Sequence, residues 1–185
     1  MRPHIRSRLL TIALALGIST QLQEPLSAQI YAELRGGTAV GSHTATAAAM
    51  ELEPGLSLAG LLSLQTKGTL GLYAGFVRTE FGCVNGFCTD RDITFTGNDI
   101  RLGLSVGREG PWLQAGLLYG GIGAGTDEVS SGIGVEAGAG LAFTAGKFRF
   151  SPGIMYRRHH ANSLARTDHA VSLSFDFGIG LQVRN

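Results

Sequence analysis

Cys83 and Cys88 are the only cysteines of the chain, and they stand on either side of an Asn85-Gly86 turn signal. In an exported protein, two cysteines so close in sequence predict a disulfide. A metal site with these two ligands is the alternative. It is less favoured because tetrahedral zinc prefers four ligands and no histidine-rich segment lies nearby in the sequence.

Arg158, His159 and His160 belong to a run of basic residues that begins at Arg157. Such side chains form charge-assisted hydrogen bonds with anionic groups, which makes the three residues candidates for contact with an anionic surface. A histidine also acts as a general base when a hydroxyl nucleophile lies within hydrogen-bond reach. Because Ser163 is displaced from the position where its hydroxyl would lie within reach of a histidine, the spacing favours anion contact over catalysis.

The N-terminus has the three-part pattern of a secretory signal peptide. Three arginines precede a mainly apolar stretch from Leu9 to Ile18, and a pair of small residues offers a cleavage site before Gln29. A first buried helix is the other interpretation of the apolar stretch, which is too short to cross a bilayer as a helix. The pattern predicts a cleavable signal peptide at residues 1–28 and one mature domain at 29–185.

The composition excludes several classes of protein. Glycine accounts for 28 of 185 residues, about twice its usual share, but without the three-residue period of collagen. Charged residues make up 16% of the chain, too few for a disordered protein. The net charge of +1 gives no electrostatic footprint for nucleic acid.

The mature part of the chain alternates with a period of two. From Val171 to Val183 every second residue is apolar, which is the periodicity of a strand. Seven further stretches repeat the pattern, and tight turns alternate with longer polar loops, of which Gly82 to Gly97 is the longest. Eight strands connected in this way predict an all-β fold, an eight-stranded antiparallel up-and-down β-barrel.

The two faces of these strands differ in chemistry. One face carries large apolar residues, whereas the other carries glycine, serine and charged residues, and strand positions lack lysine. Small residues suit the narrow interior of an eight-stranded barrel, so we expect the apolar face to meet lipid. A soluble secreted lipocalin-like barrel is the alternative. The transmembrane arrangement predicts a network of charges in the lumen, formed by Glu33, Arg35, Glu51, Glu53, Arg101, Glu136, Arg149, Arg157 and Asp176.

With this strand pattern, the chain resembles the small eight-stranded outer-membrane barrels of the OmpA/OmpX type. The resemblance rests on the strand pattern from Gln29 onwards and on stretches such as Leu72–Phe76 (LYAGF) and Phe148–Arg157 (FRFSPGIMYR). It implies a monomer in the cell outer membrane that contacts lipid and lipopolysaccharide and is inserted by the barrel assembly machinery. The C-terminal residue Asn185 departs from the aromatic residue in which such barrels commonly end.

The resemblance implies a non-enzymatic protein with a structural role in the envelope, or with a binding or adhesion role through its outer loops. No cofactor, metal site or nucleic-acid partner is expected. The basic cluster would then contact lipopolysaccharide. As an alternative, His159 to Asn162 resembles the His-x-Ser-Asn stretch of the outer-membrane lipid A deacylases, although Ala161 occupies the position of the nucleophilic serine.

Overall fold

Eight antiparallel strands form the protein in a computed structural model, which describes residues 29–43, 54–66, 69–83, 93–107, 109–124, 130–162 and 167–184. The strands are β1 (Gln29–His43), β2 (Gly55–Gln65), β3 (Leu70–Cys83), β4 (Ile93–Val106), β5 (Gly110–Ala124), β6 (Ser130–Ala145), β7 (Phe148–Asn162) and β8 (Thr167–Arg184). In the described part of the chain, no helix has the length and apolar character needed to cross a membrane.

Each strand pairs with its neighbours in the sequence, and pairing of β1 with β8 closes the barrel. This confirms the predicted up-and-down topology. Closure leaves no sheet edge, so all strands exchange backbone hydrogen bonds along both sides. The strands span 11 to 18 residues, enough to cross the apolar part of a bilayer, which takes about 9–11 tilted residues.

The two ends of the barrel differ in their connections. At one end, which we call the short-turn end, tight connections join β2 to β3, β4 to β5 and β6 to β7, and both termini of the described barrel lie there. Gly107 and Gly146 adopt positive φ angles of 95° and 63° in two of these turns, a conformation that favours glycine. At the other end, the long-loop end, the connections lie outside the described residues.

The connection between β3 and β4 is shorter than the sequence predicted. β3 continues to Cys83 and β4 begins at Ile93, so paired strand occupies much of the predicted loop from Gly82 to Gly97. The reason is that residues 94–99 (TFTGND) extend the strand without an apolar alternation. The connection between β1 and β2 is the longer of the two.

Two prolines mark irregular places in the strands, as expected for residues that cannot donate a ladder hydrogen bond. β2 begins directly after Pro54. Pro152 lies inside β7, where the register with β6 passes from the pair of Gly140 and Gly153 to the pair of Phe143 and Phe150 and leaves Pro152 unpaired on that side.

The outer face of the barrel is a continuous apolar belt. Leu34 is 73% exposed, and Leu102, Leu117 and Phe175 are 57–60% exposed. Charged side chains instead project into the lumen, where Arg101 is fully buried. In water such a belt would be a very large exposed apolar patch, whereas in lipid it is the surface that a spanning barrel requires. The facing rules out the soluble lipocalin-like alternative, which needs an apolar interior.

The belt leads to a first prediction about stability. Leu102 faces outward midway between Asn98 and Val106 on β4. We expect Leu102→Arg to destabilise the barrel in phospholipid vesicles by about 2–4 kcal/mol, because it places a charge near the bilayer midplane. Asn98→Arg, on the same face near the long-loop end, should cost about 0–1 kcal/mol. Urea unfolding would measure both, and equal effects would contradict the assignment of the outer face to lipid.

Candidate functional site in the barrel lumen

The lumen is lined by buried charged side chains from five of the eight strands. They are Glu33, Arg35, Asp99, Arg101, Glu136, Arg149, Arg157, His159 and Asp176. The structure thus brings together seven members of the predicted network, while the other two, Glu51 and Glu53, lie outside the described residues. With a neutral histidine, the four arginines and four carboxylates of this set cancel. Cancellation matters because an isolated buried charge is costly.

Glu136 on β6 is the acceptor at the centre of the lumen. Its Oε1 atom accepts hydrogen bonds from the Tyr73 hydroxyl at 2.7 Å and from Arg101 Nε at 2.8 Å. A second nitrogen of Arg101, Nη2, lies 2.7 Å from the same oxygen. Arg157 Nε lies 3.5 Å from the other carboxylate oxygen, Oε2. One carboxylate therefore connects β3, β4, β6 and β7 across the lumen.

Arg157 extends this central group towards β8. Its Nη2 atom donates to Asp176 Oδ2 at 3.1 Å, and its Nη1 atom donates to Ser174 Oγ at 2.8 Å. We call Tyr73, Arg101, Glu136, Arg157 and Asp176 the central cluster. Its charge-assisted hydrogen bonds hold the arginine side chains in fixed positions across the barrel.

A second group lies nearer the short-turn end. Glu33 Oε1 accepts hydrogen bonds from Arg35 Nε at 2.6 Å and from Ser151 Oγ at 2.5 Å. Arg35 Nη1 also donates to Gln114 Oε1 at 3.1 Å. The Arg35 guanidinium lies 4.8 Å from the centre of the Trp112 ring, within the range of a cation–π interaction. These contacts fill the lumen between the central cluster and the short turns.

Aromatic side chains in the lumen explain several of the strand glycines. The Tyr73 hydroxyl lies so close to Gly103 and Gly116 that a Cβ atom at either position would come within 2.4 Å or 2.2 Å of it. The Trp112 ring lies in the same way against Gly153, where a Cβ atom would come within 2.3 Å. Glycine is required at these strand positions because the rings pack directly on the neighbouring backbone.

At the long-loop end of the lumen, His159 and Asp99 form a pair that the sequence did not predict. His159 Nε2 lies 3.1 Å from Asp99 Oδ1, and both side chains are buried. The predicted contact of His159 with lipopolysaccharide is therefore wrong, because the side chain points into the lumen. The period-two alternation could have predicted that both side chains face the lumen, because His159 follows the lumen residue Arg157 by two positions and Asp99 precedes Arg101 by two.

Arg158 and His160 project from the outer face of β7, as contact with a membrane surface requires. In the register with β6 they lie opposite Val135 and Ile133, at the edge of the apolar belt that faces the long-loop end. Arg78 and Glu80 form an ion pair with a 2.6 Å separation on the corresponding part of β3. Charged residues thus border the belt at this end.

The structure does not test the predicted disulfide. Cys83 ends β3, and Cys88 lies outside the described residues. Within the described ranges, no group of three or more histidine, cysteine, aspartate or glutamate residues has an arrangement that could hold a metal ion.

The packed side chains leave little space inside the barrel. One cavity of about 20 Å³ lies beside Glu33 and Gln114, and another of about 20 Å³ lies beside Asp99 and His159. A single water molecule needs about 10–15 Å³ in this measure, so each cavity accommodates a small molecule of that size at most. The side chains of the described residues thus close the lumen to larger solutes.

A closed barrel with a lipid-facing belt and a plugged polar lumen belongs to the class of small transmembrane β-barrels of the outer-membrane type. Solved structures share this fold. Neisserial surface protein A is 13% identical with a TM-score of 0.56, covering 84% of this chain and 99% of that chain. Ail, the attachment invasion locus protein of Yersinia pestis, in complex with the heparin analogue sucrose octasulfate, is 13% identical with a TM-score of 0.59, covering 83% and 99%.

A second structure of Ail is 14% identical with a TM-score of 0.51 and also covers 83% of this chain and 99% of that chain. No protein-family model and no curated protein sequence matches the chain. At these identities the likeness is one of fold, and it confirms the predicted outer-membrane barrel architecture.

The central cluster generates a prediction about stability. Glu136→Gln keeps the shape of the side chain but leaves two buried arginines with one fewer negative charge. Breaking a buried pair in this way typically costs about 3–5 kcal/mol. Glu80→Gln, which removes one partner of the partly exposed Arg78 pair, should cost about 0–1 kcal/mol. Urea unfolding in vesicles measures both, and a neutral Glu136→Gln would contradict the central role of this carboxylate.

The packing of Tyr73 generates a second prediction for the lumen. A methyl group in Gly103→Ala would meet the Tyr73 hydroxyl and, at 2.2 Å, the carbonyl oxygen of Ala115. We expect overpacking to destabilise this variant by about 1–3 kcal/mol. Gly60→Ala is the matched control, since the nearest atom to its Cβ is in Leu34 at 3.8 Å on the outer face. Equal midpoints of urea unfolding for the two variants would refute the packing argument.

Proposed function

We propose that the protein is a non-enzymatic outer-membrane barrel that acts through its long-loop end, as a binding surface or as a structural part of the envelope. The observation that carries the proposal is the fixed polar plug in the lumen. Because the ion pairs around Glu136 and Glu33 fill the interior, a role in transporting solutes is disfavoured. Interaction with other molecules is then left to the outer loops and the rim.

The charge of the connecting segments narrows the partner chemistry. The four segments at the long-loop end, residues 44–54, 84–92, 125–129 and 163–166, together contain six acidic residues and two arginines, a net charge of −4. Two of the acidic residues are Glu51 and Glu53, which the sequence predicted in the lumen and which precede the start of β2 at Gly55. Complementary charge favours association and like charge suppresses it. A cationic or neutral partner therefore suits these loops, and a polyanion such as the heparin analogue bound by Ail does not.

Lipopolysaccharide is the proposed partner of the outer face below these loops. Arg158 and His160 border the apolar belt, at the level where the phosphate groups of an anionic lipid lie above the carbonyl ends of its acyl chains. A guanidinium group there forms charge-assisted, bidentate hydrogen bonds with phosphate. The acidic loops and the basic edge of the belt thus have different proposed partners.

The plugged lumen predicts the behaviour of the barrel in electrical recordings. Purified protein in a planar lipid bilayer should give no stable conductance steps, because the side chains around Glu136 leave no continuous passage. A general porin in the same bilayer provides the positive control. Reproducible steps from the protein with its intact loops would contradict the proposal and favour a channel.

The loop charge predicts a preference between two probe surfaces. Membrane vesicles carrying the protein should be retained more strongly on immobilised polylysine than on immobilised heparin. Replacement of Asp90, Asp92 and Asp127 by asparagine should reduce retention on polylysine, because it removes half of the acidic loop residues. Glu80→Gln, outside the loops, is the control. Preferential binding to heparin would refute the proposed partner chemistry.

Lipid A hydrolysis is disfavoured by the placement of both histidines. His159 has a carboxylate partner in Asp99, but the adjoining cavity of about 20 Å³ cannot admit a lipid. His160 lies on the outer face, where the neighbouring Ala161 offers no hydroxyl. We expect mass spectrometry of lipid A to give the same acyl pattern from cells with and without the protein. Loss of one acyl chain would overturn the non-enzymatic proposal.

A further inference from the structure

Three buried polar side chains meet at the long-loop end of the lumen. Thr79 on β3, Asp99 on β4 and His159 on β7 are 5%, 5% and 3% exposed, and all three line the cavity of about 20 Å³. Thr79 Oγ1, Asp99 Oδ1 and both ring nitrogens of His159 have no hydrogen-bond partner among the residues that the structure describes. Buried polar groups in folded proteins are normally satisfied by protein or by ordered water.

The short distance between His159 and Asp99 does not satisfy either group. His159 Nε2 and Asp99 Oδ1 are 3.1 Å apart, but the N–H direction does not give the alignment of a hydrogen bond. A small molecule beside both groups would supply the hydrogen bonds that His159 and Asp99 do not make with each other. It must donate to the carboxylate, and it must also exchange a hydrogen bond with the imidazole and the threonine hydroxyl.

The size and charge of the cavity select the molecule. A volume of about 20 Å³ holds one water molecule, and buried waters typically make about three hydrogen bonds, which matches the three side chains. A cation is disfavoured because Arg157 also lines the cavity, and an anion is disfavoured by Asp99. Mg²⁺ and Zn²⁺ need more ligands than this set offers.

We propose that one water molecule is bound between Thr79, Asp99 and His159 as a permanent part of the folded barrel. It lies on the long-loop side of the central cluster, since each of the three residues is nearer the long-loop end of its strand than the cluster residue on the same strand. The water would connect β3, β4 and β7. Among the described residues, no arginine–carboxylate pair links these three strands in this part of the lumen, where His159 and Asp99 lie. The site is distinct from the proposed loop surface and does not depend on it.

A crystal structure of the purified protein at a resolution that shows ordered water tests the proposal. The expected result is one peak about 2.7–3.2 Å from Asp99 Oδ1 and within hydrogen-bond distance of His159 and Thr79. Absence of this peak, while other lumen waters are visible, would overturn the proposal. An anomalous signal at the site after a rubidium soak would also overturn it, because the occupant would then be a cation.

Two variants make the test specific. Thr79→Val keeps the shape of the side chain but removes the hydroxyl, and it should cause loss or displacement of the peak. Ser63→Ala removes a buried hydroxyl from the other cavity of about 20 Å³ and should leave the peak unchanged. Heat-modifiable migration on gels checks that both variants fold. A fully occupied, unmoved peak in Thr79→Val would refute the role of the hydroxyl in holding the water.

Discussion

The structure depends on the neutralisation of charge inside a barrel that is too narrow to hold bulk water. Glu136 shows the constraint most directly, because its carboxylate contacts Arg101, Arg157 and Tyr73 within 3.5 Å. Each of these partners comes from a different strand. Removal of the Glu136 charge would leave Arg101 buried without this carboxylate partner and would leave Arg157 with Asp176 alone, so these lumen residues form one interdependent set and not a series of separate ion pairs.

The same constraint explains the composition of the inner face. The large aromatic rings fit into the lumen where nearby strands present glycine. Gly103 and Gly116 accommodate Tyr73, and Gly153 accommodates Trp112. Glycine usually weakens a strand. Here the packing of aromatic rings against the glycines offsets this loss of strand stability. The closed ring of backbone hydrogen bonds keeps the strands regular despite the glycines.

The fold followed from the sequence because alternation survives along whole strands, as in Val171 to Val183. The limits of the strands did not follow where the alternation lacks an apolar partner: the predicted loop extended to Gly97, whereas β4 begins at Ile93. Asp99 was missed because it lies between that predicted loop and the apolar alternation that begins at Ile100. The facing of His159 was accessible from its parity with Arg157, but the partnership of Arg101 with Glu136 was not, because it depends on how the strands tilt and stagger around the barrel.

Under the proposed function, a filled lumen leaves interaction with other molecules to the outer end of the barrel. The two charged regions there have opposite character: the connecting segments are acidic, whereas Arg158 and His160 present basic groups next to the apolar belt. In the proposed function, the basic groups at the belt bind the phosphates of lipid, for which acidic connecting segments would not compete. The segregation of charge along the barrel axis is then what would allow the lipid-facing surface and the loop surface to serve separate partners on one scaffold.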